Sequence, residues 1–113
     1  MPVKGTPAGG GYSTVEDLRS FWQALMKFQL LNPESTELLL KGKVEIRENI
    51  FYAYGFLDKL IQGERVVGHG GNAPGVCNLM DTYLDHGYQI IVLSNSDMDC
   101  LLIRDFLKNN PLH

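Results

Sequence analysis

Cysteine is scarce in this chain. The two present, Cys77 and Cys100, are too few for a disulfide framework and lack the CxxC spacing of a zinc site. Both read as small core thiols. Histidine is equally sparse: His69, His86 and His113 have no partner at a ligand spacing such as HxxxH, so no metal is expected. There is no basic run, and the formal net charge is -3, which argues against a nucleic-acid partner. No apolar run reaches the roughly 18 residues that a transmembrane segment requires. The opening "MPVKGTPAGGGYST" has one lysine and no apolar core, so it does not read as a signal peptide, and the compartment stays open. Repeats, low-complexity tracts and internal linkers are also missing.

What is there suits one small domain. The chain has 113 residues, of which 44% are hydrophobic and 20% charged, an ordinary globular balance. Ser13 and Glu16 have capping-box spacing, and Val15, Leu18, Trp22, Leu25 and Met26 then follow a helical period, with Phe21 and Phe28 widening the stripe. A helix over about residues 14 to 29 is expected, with its aromatic stripe in the core. "NPESTELLLKG" suggests a second: Asn32 as cap, Pro33 in the first turn, Gly42 just past the end. "KVEIRENI" is ambiguous between strand and loop. From residue 52 the period changes to two, through "YAYGFLDKLI", "RVVGH", "VCNLMDTYL" and "YQIIVLSN", the last apolar on both faces as if covered twice. Short connections favour antiparallel pairing. A final helix takes Ser96 or Asp97 as its cap and Met98, Leu101, Leu102 and Phe106 as its stripe. The expected class is α+β: an antiparallel sheet of three to four strands with N-terminal helices (residues 1–50) and a C-terminal helix after the sheet (51–113).

The stretch "GHGGNAPG" admits four readings. Gly68, Gly70 and Ala73 satisfy the dinucleotide fingerprint literally, but that mechanism needs a helix N-terminus facing the pyrophosphate, and here the next segment alternates like a strand. A Walker-type loop fails because no Lys-Ser or Lys-Thr pair follows the glycines. A metal site lacks converging ligands. A hairpin corner needs only glycines of positive φ, with His69 facing solvent. Elsewhere, Asp81 and Asp85 read as solvated strand and turn residues, and Tyr52, Tyr54 and Tyr83 as packing on the sheet or rimming a site.

Four stretches in order resemble the serine β-lactamase and penicillin-binding-protein superfamily. Within it, the chain looks most like the branch of class C β-lactamases, D-alanyl-D-alanine carboxypeptidases and related esterases. "AGGGYSTVEDLRSFWQAL" is similar to that branch's GG-x-x-ST-x-x-DL-x-x-F helix entry, and "YAYGF" to its aromatic-glycine strand. "GHGGNAPGV" resembles the third active-site motif, Lys-Thr-Gly or His-x-Gly running into G-x-x-G. "YQIIVLSNSD" resembles the last core strand before the C-terminal helix.

The resemblance implies a partial β-lactamase/transpeptidase-like fold with acyl-enzyme chemistry on an ester, peptide or β-lactam carbonyl, and no cofactor. His69 takes the Lys or His position of the motif. Gly70 and Gly71 let a substrate lie along the strand edge, and the backbone N–H of Asn72 serves as one oxyanion donor. A histidine rather than a permanent cation favours an esterase or peptidase over an efficient β-lactamase. None of Ser13, Ser20, Ser35, Ser94 or Ser96 has lysine three residues on, so the Ser-x-x-Lys nucleophile is expected upstream of residue 1. Alone, the chain is then expected to be inactive. The alternative from another class is a non-catalytic binding module that retains the scaffold. The resemblance also implies strands missing beside "YQIIVLSN", hence an exposed edge and self-association.

Overall fold

A computed structural model of the chain describes residues 11–96 and 100–109. Helix α1 (Val15–Met26) begins one residue later than the capping-box spacing suggests. Thr14, not Ser13, is the N-cap, its Oγ1 accepting the Asp17 N–H at 3.1 Å. The helix stops at Met26 because the chain turns at Phe28, which holds a φ of 60°. Helix α2 (Pro33–Leu40) starts as its sequence predicts, with Asn32 Oδ1 accepting the Ser35 N–H at 2.7 Å. Gly42 follows it for reasons of space: a Cβ there would lie 2.3 Å from the Cβ of Phe51.

The sheet is larger than the sequence suggests. Its six strands, β1 (Val44–Arg47), β2 (Ile50–Tyr52), β3 (Leu57–Ile61), β4 (Glu64–Ala73), β5 (Val76–Tyr83) and β6 (Tyr88–Ser94), lie side by side in chain order, each antiparallel to the last. "KVEIRENI" and the following Phe51 and Tyr52 supply the added strands, folded into a hairpin whose turn places Asn49 at a φ of 64°. The sheet thus opens at Val44, ahead of residue 51. Gln62 and Gly63, both at positive φ, make the primed turn that matches strand twist between β3 and β4. Most of the glycine-rich stretch is strand, and the hairpin corner falls only at its end. β4 runs straight through it to Ala73, and only Pro74 and Gly75 turn the chain.

Side-chain alternation divides the packing between two faces. Val67 joins Trp22, Leu25, Leu40, Ala53 and Phe56 in a core between the sheet and the first two helices. Its neighbour Val66 points the other way and packs with Tyr83 and Ile90. On that second face lies α3 (Cys100–Asn109), whose Cys100 packs with Cys77 and Leu79. Those two cysteines are not free thiols: they form a disulfide tying α3 to β5. Burial was anticipated, but pairing was not, because only the fold brings their Cα atoms to 5.9 Å.

Several expected core positions face outward instead. Phe21 is 44% and Phe28 48% exposed, so the buried stripe of α1 narrows to Trp22 and Leu25. Leu101, Leu102 and Phe106 are exposed as well, and α3 turns Cys100 inward with Ile103 and Arg104 half-buried. Asp97, one of the two expected caps, and the stripe residue Met98 lie outside the described residues. β6 is only half covered: Ile90 is buried, but Leu93 is exposed. Among the described residues, no helix is long and apolar enough to cross a membrane.

Candidate functional site

Strand β4 outruns its neighbour. β3 ends at Leu57, opposite Gly68, whereas β4 continues through His69, Gly70, Gly71 and Asn72 to Ala73, paired there with β5 alone. The direction of its backbone groups follows from the hairpins at its two ends. The residues closing a two-residue hairpin exchange hydrogen bonds, and the donors alternate from there along the strand. Glu64 pairs with Ile61 and so bonds toward β3, as do the even positions after it. Ala73 pairs with Val76 and so bonds toward β5, as do the odd positions before it. Both ends therefore give one result: Gly70 and Asn72 direct N–H and C=O to the side that β3 has vacated.

The side chains complete an open ledge. His69 is exposed and shares a face with Val67 and Gly71, on the side of α1 and α2. A Cβ on Gly71 would meet nothing within 4 Å, so there is empty space next to the imidazole. Gly70 is tighter, its virtual Cβ lying 3.2 Å from the Asn78 carbonyl oxygen. The four residues singled out in the sequence are thus contiguous on one exposed strand segment. A hollow lies elsewhere. About 1080 Å³ in volume, it sits between α1 and β5–β6, lined by Trp22, Met26, Thr82, Tyr88 and Ile91 among others, and does not include His69.

Neighbouring strands complete the surroundings, first through Tyr52 of the "YAYGF" stretch, one of the tyrosines read from sequence as packing on the sheet or rimming a site. Tyr52, at the end of β2, brings its hydroxyl to 3.4 Å from His69 Nε2, the rings meeting edge to face at 6.4 Å. Behind β4 lies an ion-paired cluster. Asp81 is not the solvated strand residue its sequence suggests; it is 2% exposed. One carboxylate oxygen accepts from Lys59 Nζ at 3.1 Å, and the other from Arg104 Nη1 at 3.5 Å. Gly68 leaves room for this, since a Cβ there would come within 2.4 Å of Asp81 Oδ1. Asp85 is exposed as expected and accepts the Arg65 N–H. Burial, reinforced by the Asp81 charge, pushes the Tyr83 phenol up to about 12. Burial opposes the charge on Arg104, but its bond to Asp105 and the Asp81 charge outweigh that and raise its pKa. Among the described residues, no three His, Cys, Asp or Glu side chains converge as metal ligands.

No protein-family model matches the chain. Penicillin-binding protein 4* of Bacillus subtilis (strain 168) is 33% identical over 89 residues, which cover 77% of this chain and 20% of that protein. The crystal structure of a penicillin-binding protein from Bacillus halodurans superposes with a TM-score of 0.91 at 30% identity, covering 97% of this chain and 34% of that one. The chain therefore spans about a fifth of the length of the curated relative and about a third of the solved one.

Proposed function

Because the chain is penicillin-binding-protein and β-lactamase-like, we propose that it furnishes one wall of the acyl-transfer cleft of a serine hydrolase. The observation that carries this reading is the open edge of β4, where an exposed imidazole stands beside backbone donors that face no strand among the described residues. A tetrahedral intermediate needs N–H groups already aimed at the developing oxyanion. The Asn72 N–H is one such donor, and its partner is the N–H of the attacking serine, carried by chain outside these residues. Gly70 and Gly71 keep the ledge clear, so an extended acyl substrate can bond to the edge as an added strand. His69 donates a hydrogen bond to the substrate or shuttles a proton to the leaving group.

The nucleophile and its lysine base act as a unit with the oxyanion hole, so a chain without them keeps no useful rate. The test compares this chain with a longer protein that includes an upstream Ser-x-x-Lys segment. The longer protein is expected to hydrolyse activated esters and to become acylated at its serine by a labelled penicillin. His69→Ala should then lower kcat/KM for the ester roughly 100-fold, and the 113-residue chain alone should be silent. Ester turnover well above nitrocefin turnover is expected; comparable rates would contradict the esterase or peptidase assignment. A longer protein that binds penicillin without being acylated would favour the non-catalytic module.

A further inference from the structure

His69 is the one ionisable side chain on the ledge, yet an imidazole offers either a donor or an acceptor, depending on its tautomer. The neighbour that decides between them is Tyr52. Its backbone is held by the β2 pairing with Leu57, and its carbonyl accepts the Lys43 N–H at 2.8 Å. The next residues close a tight turn in which Ala53 N–H donates to the Phe56 carbonyl at 2.8 Å, with Gly55 at a φ of 82°. Ala53 and Phe56 are both anchored in the core against Trp22. The phenol is therefore presented from a fixed base, with its hydroxyl 3.4 Å from Nε2.

We propose that Tyr52 is the positioning residue of His69, and that its hydroxyl holds the imidazole so that Nδ1–H is the group offered to the cleft. Two steps lead there. A phenol is a stronger donor than acceptor, and an unprotonated imidazole nitrogen is a strong acceptor. The neutral pair is thus Tyr52 O–H donating to Nε2, which leaves the proton on Nδ1. When the ring gains a proton, Nε2–H donates to the phenol oxygen and Nδ1–H is unchanged. Because the hydroxyl can switch from donor to acceptor, the cleft meets an N–H donor in both charge states. This deepens the hydrolase reading and rests on it for its functional meaning: the substrate group opposite His69 is an acceptor, a carbonyl or carboxylate oxygen, rather than a hydroxyl or amine to be deprotonated.

The test needs no catalysis. In the isotopically labelled 113-residue chain, the imidazole nitrogen shifts are read at about pH 9, well above the ordinary histidine range near 6.5. The expected result is a His69 ring in majority Nδ1–H form, assigned by its loss in His69→Gln. His86, paired with Glu64, serves as a second ring in the same spectrum. In Tyr52→Phe the His69 ring should revert to majority Nε2–H. A wild-type His69 already in the Nε2–H form would overturn the proposal, even if the variant fails to fold. So would an Nδ1–H form that survives loss of the hydroxyl. Failure of the longer protein to be acylated would sink the hydrolase reading but leave this tautomer result standing, so the two are separable.

Discussion

Asp81 is the residue whose environment departs furthest from its sequence context. It joins three elements: Lys59 from β3, Arg104 from α3 and its own strand β5. Removing one partner of such a buried pair leaves an uncompensated charge, at a cost of about 3–5 kcal/mol. Asp81→Asn is accordingly expected to lower the urea midpoint sharply, while the double replacement Lys59→Met with Asp81→Leu loses far less. Equal losses would mean that the pair is not buried as described. Gly68 and Gly71 form a contrasting pair on one strand. Gly68→Ala drives a Cβ to 1.9 Å from the Met80 carbonyl oxygen, so overpacking should cost about 1–3 kcal/mol. Gly71→Ala meets nothing and should leave stability unchanged while impeding substrate in the longer protein. Thermal melts of the two variants check this directly. Tyr83 adds a pH dependence. Its folded pKa of about 12 exceeds the unfolded value of 10.0, so its contribution to stability is complete below pH 10.0 and disappears as the pH rises toward about 12. Tyr83→Phe should flatten that alkaline limb of the melting temperature.

Helix α3 depends on a covalent tie more than on its apolar stripe. Cys100 is its one fully buried residue, and the disulfide spans a sequence separation of 23. Closing a loop of that size removes chain entropy from the unfolded state worth roughly 3 kcal/mol. Reduction, or Cys100→Ser, should lower the urea midpoint accordingly and speed amide exchange in α3 ahead of β4 and β5. An unchanged midpoint would show that packing alone holds the helix. The pairs α1 and α2, and β3 and β4, behave differently, because short-range chemistry already specifies their junctions. Thr14 and Asn32 start the helices by accepting backbone N–H groups, and Gln62 and Gly63 turn the hairpin. Replacing Asn32 with Ala should cost about 1 kcal/mol, with fraying confined to α2.

Across the molecule, apolar surface remains uncovered among the described residues. Phe21, Leu38, Val44, Ile46 and Leu60 are all exposed. Among the described residues, strand β6 ends the sheet as an uncharged edge, Tyr88–Ser94, with no proline to block another strand. A second copy is the partner such an edge recruits first at high protein concentration. Sedimentation is expected to show concentration-dependent association, and Leu93→Lys should suppress it. A strict monomer at high concentration would refute this.

The residue order alone determined what depends on near neighbours, the starts of α1 and α2 and the period-two strands, and it carried the likeness to penicillin-binding proteins. Even there it erred by one residue at the Thr14 cap and lost the β1–β2 hairpin, whose few residues carry too weak a pattern to separate strand from loop. The rest joins residues far apart in sequence. Tyr52 meets His69 across a separation of 17, Lys59 meets Asp81 across 22, and Cys77 meets Cys100 across 23. No local propensity encodes such contacts. They arise because antiparallel pairing brings distant strands into register, and because β3 stops where β4 continues. That difference in strand length leaves the backbone beside His69 open.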